Sequence, residues 1–141
     1  MSSGKSHDSD MMLSQAGRFV LVGGAAALVN WLVRFPLSYI APFAGAVAAA
    51  NVIGMLFGFV AYRFLVFPTS KRQIAYQLRD FIAVNLLSMI VVVVVSVASA
   101  GYVLPSFGWR WQAEAISHAM GIAAGAVINF FGHRQFSFAL R

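Results

Sequence analysis

Apolar residues fill four long stretches of this chain, and the polar residues collect between them. The first stretch runs from Phe19 to Ile40 and is interrupted late by Arg34 and Pro36. The second runs from Ala44 to Phe67, the third from Phe81 to Ala100 with five consecutive valines from Val91, and the fourth from Ala113 to Phe131. Each is close to the roughly 20 residues that carry a helix across a bilayer. The pattern predicts an all-α polytopic membrane protein of four transmembrane helices, joined by short links: "APF", a basic loop "PTSKRQIAYQLRD" and an aromatic-rich "YVLPSFGWRWQ". Residues 1–15 read as a flexible polar tail and 16–141 as the transmembrane domain. The leader is too acidic for the n-region of a cleaved signal peptide, and the small residues "AGAVAAA" lie beyond Arg34.

Composition agrees with lipid as the solvent. Sixty per cent of the residues are apolar and 10 % are charged, against about half and a quarter in soluble domains. The net charge of +6 is not a nucleic-acid footprint, because the basic residues sit at the margins of the apolar stretches. With four spans, Lys5, Arg18, Arg63, Lys71, Arg72, Arg79, Arg134 and Arg141 fall on one side and only Arg34 and Arg110 on the other. That asymmetry predicts cytoplasmic termini in a cytoplasmic (inner) membrane, with Tyr102, Trp109 and Trp111 as an outer aromatic belt.

The ends of the second and fourth stretches repeat each other. "GFVAYRFLVF" (58–67) and "NFFGHRQFSF" (129–138) both read Phe-x-x-x-Arg-x-x-x-Phe. A shift of 71 residues lays Phe59 on Phe130, Arg63 on Arg134, Phe67 on Phe138 and Gly54 on Gly125. Each half is then a helix hairpin, about 16–67 and 79–138. Two helices per half give both halves one orientation, a parallel duplication.

These residues, with the opening "RFVLVGGAAALVNWLV", resemble the GtrA-like membrane proteins over residues 16–138. Tyr62 and His133 stand where that pattern often has asparagine. The resemblance implies four helices and a role in moving polyprenyl-phosphate-linked sugars across the cytoplasmic membrane, beside a separate glycosyltransferase.

The residues also speak for themselves. An arginine at a helix end near headgroup depth is commonly an anchor that snorkels to the interface. It is also a good ligand for a lipid phosphate, since its planar fork meets two oxygens and keeps its charge. Arg63 and Arg134 are the candidate lipid-phosphate contacts. Asn30, Arg34, Asn51, Asn85, Glu114, His118 and Asn129 are candidates for a polar sugar pathway. Ser88 and Ser117 are further polar residues in these stretches. A charge at mid-span costs about 2.5–3.5 kcal/mol, so Arg34 and Glu114 are expected to pair, with His118 one turn from Glu114 on the same face. A structural ion pair with a satisfied histidine competes with an outer-leaflet pocket for a sugar hydroxyl or departing phosphate. Gly54/Gly58 and Gly121/Gly125 are G-x-x-x-G pairs that serve either packing within the chain or a homo-oligomer.

No cysteine, no phosphate-cradling loop before a lysine and no metal-ligand spacing stand in the sequence. Ser117 and His118 are adjacent, so they diverge on a helix. No enzyme, cofactor or metal is expected. The leading reading is a flippase for a polyprenyl-phosphate-linked sugar, working as a dimer or higher oligomer and driven from elsewhere. A non-transporting subunit that recruits a glycosyltransferase through "SKRQ" is the alternative. A small proton-coupled multidrug exporter is a weaker one, because Glu114 lies near an interface and not at mid-membrane.

Overall fold

The computed structural model describes the backbone of residues 3–66 and 73–136, and within them the side chains of 14, 17–66, 73–76 and 78–129. Among the described residues there are only helices and turns. Helix α1 spans Ser3–Leu37 and α2 spans Phe43–Ala61, continued by a π turn over Tyr62–Val66. Helix α3 spans Ile74–Ala98, followed by a second π turn, Ser99–Val103, and the short helix α4, Leu104–Ser106. Helix α5 spans Ala113–Phe136.

Among the described residues, three segments are long and apolar enough to cross a membrane: Gly17–Leu37, Phe43–Val66 and Ile74–Ser106. Helix α5 has 24 residues, about 36 Å at 1.5 Å per residue, which also exceeds a hydrocarbon core of about 30 Å. The surface is turned outward as lipid demands. Leu21 is 74 % exposed, and Leu28, Phe64, Leu87, Ile90 and Val94 are exposed with it. The interior instead holds Ala46, Val47, Ala50, Ser96, Ser117 and His118.

Three boundaries depart from the sequence reading. The first helix starts at Ser3, ahead of the apolar stretch that begins at Phe19; extending an existing helix adds one bond per residue without the cost of a new nucleus. The predicted loop before Phe81 is helical from Ile74, and the outer link begins as helix through Ser106. Pro36 lies inside α1 one residue before its end. The chain then turns through bonds from the Ser38 amide to the Arg34 carbonyl (2.9 Å) and from the Ala41 amide to the Leu37 carbonyl (3.0 Å).

Five residues separate α1 from α2, so the two pack as an antiparallel hairpin. Helices α3 and α5 make the second hairpin, closed by a turn in which Gly108 has φ +73° and Gln112 φ +47°. Helix α2 packs on α3, and α1 touches α5, which closes the ring. The glycine pairs lie in the hairpin seams, all four buried. A Cβ added at Gly54 would stand 2.7 Å from Asn30 Cβ and 3.0 Å from the Ala26 carbonyl oxygen. One at Gly125 would stand 2.5 Å from Val92 Cγ2, and one at Gly121 would meet Ser96 Oγ and, at 2.6 Å, the Val92 carbonyl oxygen. Both G-x-x-x-G pairs are therefore consumed by packing within the chain, which was one of the two uses open from sequence.

Candidate functional site: a polar vestibule where helix α1 ends and α5 begins

The C-terminal turns of α1 carry Trp31 and Arg34 toward the first turn of α5. Trp31 Nε1 donates to the Ala115 carbonyl at 2.9 Å, fixing the two helices one turn from the ion pair. Arg34 Nη1 meets Glu114 Oε2 at 3.3 Å and donates to Ser38 Oγ at 3.2 Å. Its guanidinium carbon lies 4.1 Å from the Phe35 ring centroid and 5.7 Å from that of Phe43. The predicted pairing is thus present, but it is loose. A single contact of 3.3 Å is longer than the 2.7–2.9 Å common for charge-assisted bonds, and Arg34 Nε is buried with no hydrogen-bond partner. The arginine side chain is 4 % exposed and the carboxylate 55 %.

An open cavity of about 470 Å³ lies against this pair, lined by Arg34, Phe35, Ser38, Arg110, Gln112 and Glu114 among others. Pockets of about 300–1,000 Å³ are the range of small-molecule sites. Arg110, exposed at its rim, brings a second cation to the wall.

One turn along each helix from the ion pair lie Asn30 and His118, both buried. Asn30 Oδ1 and both ring nitrogens of His118 lack hydrogen-bond partners, as does the buried Ser117 hydroxyl. Sequence left open a satisfied histidine; His118 is fully buried and makes no hydrogen bond. Polar atoms of this kind are costly in an apolar interior unless water or a ligand reaches them.

The other candidates are scattered. Asn85 donates to the Phe81 carbonyl of its own helix at 2.8 Å, and Asn51 is half-buried on α2. Asn129 Oδ1 is buried without a partner, two turns of helix beyond Gly121. Ser88 Oγ donates to the Gly125 carbonyl at 3.0 Å across the α3/α5 seam. Among the described residues no cluster of His, Asp and Glu could hold a metal ion.

Arg63 is half-buried within the π turn after α2. That turn is something the Phe-x-x-x-Arg spacing does not encode, since i→i+5 bonding widens the helix just where the motif assumes one face. Such turns recur at functional sites. The backbone at Arg134 is helical, while its side chain and those of Phe130 and His133 lie outside the described residues, as do Phe67, Lys71, Arg72, Phe138 and Arg141 altogether. Tyr62, the residue before Arg63, has its own work. Its hydroxyl donates to the Phe19 carbonyl at 3.3 Å, and its ring lies 4.8 Å from Phe19 and 6.5 Å from Phe81. Gly23 leaves the space, since a Cβ there would stand 2.8 Å from Tyr62 Oη.

Sequence reasoning missed Trp31, Ser38, Arg110 and Gln112. Trp31 was readable as the residue three before Arg34 and so on its face; the others depend on how the two hairpin turns meet.

No curated protein and no solved structure matches the chain. A family model, GtrA/DPMS, transmembrane domain, matches residues 18–138, nearly its full length, including both arginine motifs. The chain belongs to the GtrA/DPMS transmembrane domain family, and is a multi-pass membrane protein linked to the handling of polyprenyl-phosphate sugars.

Proposed function

We propose that the chain translocates a polyprenyl-phosphate-linked sugar across the cytoplasmic membrane, with both termini cytoplasmic. The observation that carries this reading is the buried polar residues inside apolar helices: Asn30, Arg34, Ser117 and His118 retain atoms without partners. A bundle meant only to sit in lipid has no use for them, because apolar residues of the same size would cost less. A sugar headgroup offers what they lack, hydroxyls that both donate and accept.

In this mechanism Arg63 and Arg134 hold the lipid phosphate at the cytoplasmic side through their guanidinium forks. Arg79, exposed at the start of α3, helps to draw anionic headgroups there. The sugar moves past Asn51, Asn85 and Asn129 toward Asn30 and His118, its chain staying in lipid, and leaves by the vestibule at Arg34 and Glu114. The chain performs no covalent step, and a separate glycosyltransferase loads the lipid. A bundle of four helices is thin-walled around such a headgroup, so the working unit is a dimer or larger.

The test is reconstitution in liposomes with a fluorescent polyprenyl-phosphate sugar and an impermeant quencher. The mechanism predicts that lipid in the inner leaflet becomes accessible only when protein is present. If folded protein leaves the inner-leaflet fraction protected, the chain is a recruiting subunit and transport is excluded.

A further inference from the structure

We propose that Arg34 is a binding centre for a phosphate monoester, and that Glu114 is an internal counter-ion which the phosphate displaces. This deepens the translocation reading, on which it rests, by giving the exit vestibule a gate and a ligand, the monoester carrier that is left when the sugar has been handed on from its phosphodiester by another protein.

Three features of the cavity converge on an anion. Arg34 is almost wholly buried, lines the cavity, and uses its guanidinium poorly: one carboxylate contact of 3.3 Å, one hydroxyl at 3.2 Å and an Nε with no partner. A guanidinium reaches full value with a bidentate oxyanion, which Glu114, touching it by one oxygen from the cavity wall, does not supply. Arg110 adds a second positive charge at the rim. The first turn of α5, Ala113, Glu114 and Ala115, also lines the cavity. The leading amides of a helix lack intrahelical acceptors, and its dipole favours negative charge there.

Glu114 already occupies this field. It is the negative group of the first turn and its side chain is more than half exposed, so it can swing into solvent at little cost. The phosphate would take the Arg34 fork, Ser38 would donate its hydroxyl, and Arg110 would balance the remaining charge. With Glu114 seated the vestibule is neutralised and closed to anions. With Glu114 displaced it holds one. The exchange breaks the 3.3 Å ion-pair contact and the 3.1 Å bond from the Ser38 hydroxyl to the Arg34 carbonyl, and makes no covalent bond.

The experiment is equilibrium binding of farnesyl phosphate to the purified full chain in detergent, read by tryptophan fluorescence, since Trp31 bonds Ala115 beside the cavity. Farnesol and inorganic phosphate serve as controls. Glu114→Gln removes the competing charge but keeps an acceptor for Arg34, so affinity should rise about tenfold. Arg34→Gln should abolish binding, Arg34→Lys should recover part of it, and Arg110→Gln, at an exposed position, should weaken it several-fold. Binding of farnesol as tight as that of the phosphate, or unchanged or weaker affinity in a folded Glu114→Gln variant, would overturn the proposal. Inorganic phosphate binding as tightly as farnesyl phosphate would support the site and make its ligand a soluble phosphate ester and not a lipid. No transport enters the measurement, so a failure of translocation leaves this result standing, and the reverse.

Discussion

Two ion pairs stand at opposite ends of this bundle, and the shorter one matters less. Arg79 and Asp80 meet at 2.9 Å at the start of α3, with side chains 69 % and 45 % exposed. Arg34 and Glu114 meet at 3.3 Å where α1 reaches α5, and there the cation is almost wholly buried. Exposed pairs contribute about 0.2–1 kcal/mol because water solvates either partner alone. A buried cation has no such fallback, so losing its partner costs more than the pair is worth. Burial, and not separation, ranks these contacts. The same rule marks the Arg34 end as the place where polar chemistry is concentrated, since a cell membrane does not otherwise keep a buried guanidinium with an idle nitrogen.

The contrast can be broken most severely from a distance. Gly121→Val would drive a side chain into Ser96 and the Val92 carbonyl, part α5 from α3 and carry Glu114 off Arg34, while the Arg79–Asp80 pair, local to one helix, survives. Overpacking of this kind costs about 1–3 kcal/mol and sometimes more, read as a lowered unfolding midpoint in detergent. Next in size is Glu114→Ala, which leaves Arg34 buried without its carboxylate; we expect a loss of about 1–3 kcal/mol. Arg34→Ala should cost less, because Glu114 is half in solvent, and the reverse order would refute the asymmetry. Tyr62→Phe removes one hydrogen bond, worth about 0.5–1.5 kcal/mol. In that background Gly23→Ala should become nearly harmless, a coupling measurable by a double-mutant cycle. Asp80→Ala is the smallest change, within about 0.5 kcal/mol on the same unfolding assay.

Much of this was readable in the chain. Apolar runs of about 20 residues announce spans because lipid forces every backbone polar group to be satisfied within a helix, and the start of α5 at Ala113 falls where the run begins. The Arg34–Glu114 pair was readable too, since two opposite charges at matching depth have few alternatives. What escaped depends on geometry without a periodic signature. The π turn at Tyr62–Val66 inserts a wider turn into a run that reads as ordinary helix. The vestibule is assembled where two hairpin turns meet, with Ser38 far in sequence from Arg110 and Gln112. The helical residues 3–10 are polar and carry no apolar stripe to announce them. Gly54 and Gly121 could equally have faced a second copy, and only the packing of Asn30 and Ser96 against them decides otherwise.

The central claim is that arginine captures the lipid phosphate at the cytoplasmic end before the headgroup crosses the buried polar interior. The most direct test compares scrambling of a fluorescent polyprenyl-phosphate sugar in liposomes by the unaltered chain and by Arg63→Ala/Arg134→Ala. The account predicts that the double variant inserts and folds but scrambles at least tenfold more slowly, with lysine at both positions restoring part of the rate. Full scrambling by the double alanine variant would contradict it.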